Sequence, residues 1–263
     1  MPSPAPDPHP CTIDEVVIAL DQIIAQSIQT RSRQGYFAAL YRVVTVAVRD
    51  GIRSGGVFED GARMERLDVA FVNRYLAAWQ RRQQGLAPAR CWEVAFAATG
   101  SRRPIILQHL LLGMNAHINY DLGIAAASVC PGEEIRGLER DFMAINTVLA
   151  GLVEQVRREI GALSPWIRVV DKLSGRADDA LVNFSMKRAR DAAWELALCL
   201  APLDPEAWEP ELDKWDRHWE LLGQLVAHPP GLLAQAALLV VRVRECGDVA
   251  RVIQVLNRTA PGA

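Results

Sequence analysis

Between Pro104 and Ala127 the chain reads PIILQHLLLGMNAHINYDLGIAAA, a stretch that is apolar on every side of any helix drawn through it. A helix without a polar face has no stable place on a surface, so other elements must wrap it. Ser101 can cap such a helix and Pro104 can open it, which sets a buried central helix at about 104–128.

Elsewhere the apolar residues recur at helical spacing, and alternating β-branched runs bounded by turn residues are nearly absent. The expectation is an all-α fold, a single-domain helical bundle around that central helix. Helices are predicted at about 13–30, 35–53, 62–83, 90–98, 104–128, 136–162, 177–201, 206–226, 231–243 and 247–257. Gly and Pro punctuate the pattern at RSGG, GLAP, TGSRRP, CPGEE, APLDP and HPPG. Half of the 263 residues are hydrophobic, enough for a sizeable core without disulfides. Residues 1–11, MPSPAPDPHPC, read as a flexible Pro-rich tail, and 12–263 as the single domain. The Pro-rich APLDPEAWEP suggests a boundary, but the segment C-terminal to it is too short for a comfortable core of its own.

The formal net charge is −2, and no basic stripe is interleaved with aromatics. Neither nucleic acid nor an anionic membrane is therefore expected as a partner. Five scattered cysteines without a CxxC pair fit reduced thiols rather than a disulfide framework or a cysteine-built zinc site. The start lacks the features of a signal peptide, and GLLAQAALLVVRV is too short to cross a bilayer, so a soluble cytoplasmic protein is expected. A homo-oligomer stays open. No GxSxG, Walker loop, GxGxxG after a strand, HExxH or DDxxD run is present.

The chemistry-bearing residues lie in the central helix. At about 100° per residue, His109, Gly113, His117 and Asp121 follow one i, i+4 row. His117 and Asp121 can reach the same point, as a helix does when it gives an imidazole and a carboxylate to a metal, or a base and its orienting acid. Gly113 is expected to leave a gap in that row. A buried His paired with a buried Asp also serves purely structural ends, and both readings stay open. Asn115 and Asn119 point to the other side and are expected to fasten neighbouring elements.

Other segments offer groups that could converge on this row. In MERLDVAFVNRYLAAW, Asp68 projects within about 60° of Phe71, Val72, Tyr75 and Trp79, so its carboxylate needs a partner. One possibility is a metal shared with His117 and Asp121; the other is a salt bridge to Arg42 or Arg190. Arg42 is the preferred counter-charge for the core carboxylates, and Thr45 is expected to bond its own helix backbone. Asp141 sits in the first turn of its helix, where it complements the helix dipole. Asn183, Lys187, Arg190 and Trp194 share a face that could present cations to a phosphate or carboxylate. His9, His218 and His228 are assigned to no site.

The segments YFAALYRVVTVAV, FEDGARMERLDVAFVNRYL, QHLLLGMNAHINYDLG, DFMAINTVLA and ARDAAW resemble an uncharacterised helical bacterial family, a domain of unknown function. The likeness runs from about Tyr36 to Trp194, with HLLLGMNAHINYDLG its most specific part. It implies an all-α single domain and marks Asp68, His109, Asn115, His117, Asn119, Asp121, Asp141 and Arg190 as motif positions. It implies no activity.

The sequence supports three functional expectations. The first is a metal-dependent, hydrolytic enzyme acting on a small, largely apolar molecule. Asp68, His109, His117 and Asp121 would hold a divalent metal (Zn, Fe, Mn or Mg), with His117, Asp121 and Arg190 catalytic. The second is a Mg-dependent isoprenoid-diphosphate lyase or cyclase in which Arg190 takes the diphosphate. The third is a non-catalytic binding or scaffold protein whose buried polar network fixes helix register.

Overall fold

Helical periodicity becomes eleven α-helices among the described residues, which are 9–164 and 186–258 of the computed structural model. The predicted tail up to residue 8 and the predicted helical residues 177–185 lie outside them. The fold is all-α, and no strand occurs among the described residues.

The apolar stretch forms one rod built from three consecutive pieces. These are α5 (Ile106–Ala116), a π turn (His117–Asp121) and α6 (Leu122–Val129). Around it pack α2 (Gln34–Ser54), α3 (Gly61–Gln83), α4 (Arg90–Thr99), α8 (Met186–Leu200) and α9 (Glu209–Ala227). Outside these, α1 (Ile13–Thr30) and α11 (Val249–Asn257) close over α2, and α7 (Glu134–Leu163) meets α2, α8 and α11. The helix before α11, α10 (Leu232–Arg244), buries only Val241. Because α9 packs on α4 and α5, the Pro-rich stretch before it is a bend within the bundle.

Burial follows the sequence pattern. Leu110, Leu112, Ala116, Ile124, Ala125 and Ala126 are all 2 % exposed or less, and each such leucine contributes about 2 kcal/mol of hydrophobic stabilisation. At Gly123 the rod and α8 pack closely. A Cβ there would lie 2.6 Å from the Ala193 carbonyl oxygen, so any larger residue would push the helices apart.

Helix starts have two kinds of cap. Thr12 and Glu15 form a capping box on α1, and Asp60 accepts from the Arg63 amide at the start of α3. By contrast, α5 begins later than predicted, without Ser101 as its cap. The Glu245 carboxylate, just past α10, accepts from the Ile106 amide at 3.1 Å and from the Ser164 hydroxyl at 2.7 Å. Likewise α4 is capped from α9: Asp216 accepts from the Arg90 and Cys91 amides at 2.8 and 3.0 Å. These remote carboxylates act as local caps would and tie late elements of the chain to the ends of early ones.

Candidate functional site

Asp121 is the hub of the buried polar groups. Its Oδ2 accepts from the Trp92 indole nitrogen at 2.8 Å and meets His117 Nδ1 at 3.1 Å, while Oδ1 accepts from Arg74 Nε at 2.9 Å. His117 and Asp121 are each 1 % exposed. A carboxylate so deep is stable only when charge-paired and hydrogen-bonded, and three donors provide that here. The two residues begin and end the π turn, whose widened loop is closed by the Leu122 amide bonding back to the His117 carbonyl. Such turns interrupt a regular helix at a cost and concentrate at functional positions.

The imidazole of His117 sits in an aromatic box. It stacks on Phe71 at 3.6 Å between centroids with 4° between planes, and takes the edge of Tyr41 at 4.3 Å and of Phe37 at 5.7 Å. Burial lowers its pKa, with Arg74 adding to that effect and Asp121 opposing it. The ring is therefore neutral at pH 7. Asp121 Oδ2 accepts, so the proton is assigned to Nδ1 and the lone pair falls on Nε2. Nε2 is buried and has no hydrogen-bond partner among the described residues.

The other predicted ligands stand apart from this pair. His109 also carries no hydrogen bond on either ring nitrogen among the described residues. It faces the edge of Tyr36 at 5.6 Å and borders a pocket of about 20 Å³ beside Arg33, Phe96 and Thr99, room for about one water. Burial, reinforced by Arg33 and Arg242, lowers its pKa to about 3. Gly113 leaves no gap between the two histidines, because the Phe37 ring fills the place where a Cβ would be. Asp68 is 7 % exposed and keeps Oδ2 without a hydrogen-bond partner among the described residues. Burial, with Glu65 adding to it, raises its carboxyl to about 7. Among the described residues no three His, Cys, Asp or Glu side chains come together to hold a metal ion. The structure thus brings His117 and Asp121 together and leaves His109 and Asp68 outside their group.

The arginines are distributed differently from the sequence expectation. Arg42 pairs with Asp21 at 2.5 Å, so the counter-charge for Asp121 is Arg74 instead. Arg190 is 4 % exposed and turns to α7, where it donates to the Phe142 carbonyl and lies 4.5 Å over the Phe142 ring. It meets neither Asp68 nor the His117–Asp121 pair. Asp141 does not lie in a first turn, because α7 begins seven residues earlier at Glu134, and its role is a cross-helix one. It accepts from the Glu59 and Asp60 amides at 2.6 and 3.1 Å and from Arg63 at 2.7 Å, anchoring the turn that starts α3. Burial pushes its carboxyl up, but these donors outweigh burial and hold it below the usual range. Thr45 bonds the Tyr41 carbonyl. Asn115 and Asn119 are fasteners: Asn115 donates to the Trp219 carbonyl at 2.8 Å and accepts from Asn119 at 2.9 Å.

Asp121 also opens onto a cleft of about 440 Å³ between α3 and α4. Arg74 and Arg81 supply cations to it, Ala77, Ala78 and Pro88 supply apolar wall, and Trp92 and Asp121 form its inner side. The N-terminal segment reaches its rim. His9 lines it, and Asn73 holds that segment by donating to the Pro10 carbonyl at 2.9 Å. Arg74, Trp92 and His9 are thus site residues that sequence reasoning passes over. The usable signal is Trp92, since a buried indole N–H requires an acceptor.

Fold and site together define an all-α bundle with a buried histidine–aspartate pair behind an arginine-lined cleft. Residues 13–229 match the family of unknown function DUF5995, and the chain belongs to that family. Neither the curated proteins nor the solved structures compared with the chain include a match.

Proposed function

We propose that the protein binds and acts on a small, largely apolar molecule carrying one anionic group, in the cleft between α3 and α4. The observation that carries this reading is the double role of Asp121, which lines the cleft and also receives His117, Arg74 and Trp92. The wall matches such a ligand: two guanidinium groups for a carboxylate or phosphate beside alanine, proline and indole surface. His117, neutral with its Nδ1–H donating to Asp121, is the acid–base group of the reading. A hydrolytic step would require its Nε2 to be reached through the aromatic box. A divalent metal would need Asp68 or His109 to join the pair. A prenyl diphosphate would meet Arg74 and Arg81 in this cleft rather than Arg190.

The test is a thermal-shift screen with medium-chain carboxylates, aryl phosphates and their esters, and prenyl diphosphates, each with and without Zn²⁺ or Mg²⁺. At least one should raise the melting temperature of the wild type and not of Arg74→Met. A flat screen, or a shift that Arg74→Met preserves, sinks the reading.

A second reading, a structural network that fixes the register of the rod, draws on the saturation of Asp121 by three donors and the enclosure of His117 Nε2. Under it, His117→Gln lowers stability and alters no ligand response.

A further inference from the structure

From Leu221 to Arg244 the chain contains no Asp or Glu, and its ionisable groups are His228, Arg242 and Arg244. The helix that ends this stretch, α10, turns its apolar residues outward. Leu232 is 85 % exposed, Leu233 88 %, Leu239 64 % and Val243 73 %. Spaced by seven and four, Leu232, Leu239 and Val243 fall on one face, and Leu233 lies next to it. Four large apolar side chains gathered on one exposed helix mark a surface that meets something.

Charge and hydropathy identify the partner. Arg242 donates to the Arg102 carbonyl at 2.7 Å, which brings the exposed Arg102 and Arg103 to the C-terminal end of α10. Arg242 is itself tied to Glu245 at 3.5 Å, and Arg102 and Arg103 are exposed beside it. By length and hydropathy α9 and α10 together would qualify as a membrane span, yet they meet at 68°, and no single described helix is long and apolar enough to cross. A second copy of the chain would bring the same cations and no acidic residue from this stretch to meet them.

We infer that α10 docks in the plane of an anionic lipid surface. Leu232, Leu233, Leu239 and Val243 enter the acyl boundary, and Arg102 and Arg103 meet headgroup phosphates. The sequence expectation of no membrane partner rested on the shortness of the apolar run and on the lack of a basic stripe interleaved with aromatics. Here the arginines join the leucines only through the fold, 140 positions apart at the Arg102–Arg242 contact.

The test is co-sedimentation of the full chain with phosphatidylcholine vesicles, with and without phosphatidylglycerol, at low and high salt. Binding is expected on the anionic vesicles, weakened at least about tenfold on neutral ones and by salt. A triple variant, Leu232→Glu, Leu239→Glu and Val243→Glu, should abolish it while keeping the wild-type melting temperature, because those side chains face outward. Arg102→Glu with Arg103→Glu should weaken it by at least about thirtyfold. The inference is overturned if the triple variant sediments like the wild type. It is equally overturned if the wild type ignores anionic vesicles, whether it stays monomeric or forms a concentration-dependent dimer that the triple variant dissolves.

Discussion

His117 and His109 lie on the same rod, eight positions apart, and both are buried, yet they live in opposite conditions. His117 leans on Asp121, which also holds Arg74 and Trp92, whereas His109 has no hydrogen bond on either nitrogen among the described residues. The carboxylates divide in the same way: Asp121 has three donors, and Asp68 keeps an oxygen without one among the described residues. Burial alone therefore says little about the use of a polar group. What separates the two sets is a cross-helix network, which joins His117 and Asp121 to Arg74 and Trp92 and reaches the cleft between α3 and α4.

The sharpest way to break this contrast is to truncate each histidine. His117→Ala removes a packed ring and leaves Asp121 one donor short, so it should cost about 3–5 kcal/mol in denaturant unfolding. His109→Leu swaps an unbonded ring for an apolar side chain and, at pH 7, should change stability by about 1 kcal/mol or less. Equal costs would erase the distinction.

The carboxylates differ in how they depend on pH. Asp68 has its folded pKa raised to about 7, above the unfolded value, so its contribution is fully present below about pH 4 and is lost as pH rises through about 7. Asp68→Asn should therefore stabilise the protein at pH 8, by something on the order of 3 kcal/mol, and leave it unchanged near pH 4. His109 runs the other way. Its folded pKa is lowered to about 3, so stability present above about pH 6.5 is lost as pH falls toward 3. His109→Leu should flatten that acid limb, and calorimetry across pH 4–8 reads both slopes.

A smaller effect than that of His117→Ala is expected at the indole donor of the network. Trp92→Phe deletes one of the three donors to Asp121 and keeps most of the ring volume, costing about 1–2 kcal/mol. A cost near zero would mean that the indole bond adds nothing to the hub.

Much of this fold was legible because periodicity and Gly/Pro punctuation are local signals. The helices over Ile13–Thr30, Gly61–Gln83 and Arg90–Thr99 begin and end within a residue of the positions read from the sequence. The start of α5 was misread because its cap, Glu245, comes from the far end of the chain. The pairing of His117 with Asp121 was legible for the same reason that helices are, since both residues lie on one element. Arg74, Trp92 and the filling of Gly113 by Phe37 depend on how separate helices cross, and no spacing within one element encodes that. Arg42 illustrates the limit: it is an arginine in an apolar run near the core carboxylates, yet its helix turns it toward Asp21.

The central claim is that Asp121 links the cleft to His117, and ¹⁵N NMR of the histidine rings tests it most directly. The carboxylates, phosphates and diphosphates of the thermal-shift screen would be titrated into wild type and Arg74→Met. The account predicts that an anion entering the cleft moves the His117 resonances and leaves those of His109 in place, and that neither histidine responds in Arg74→Met. If no anion in the series moves His117, or if the shifts persist without Arg74, the pair is structural and the cleft is not its site.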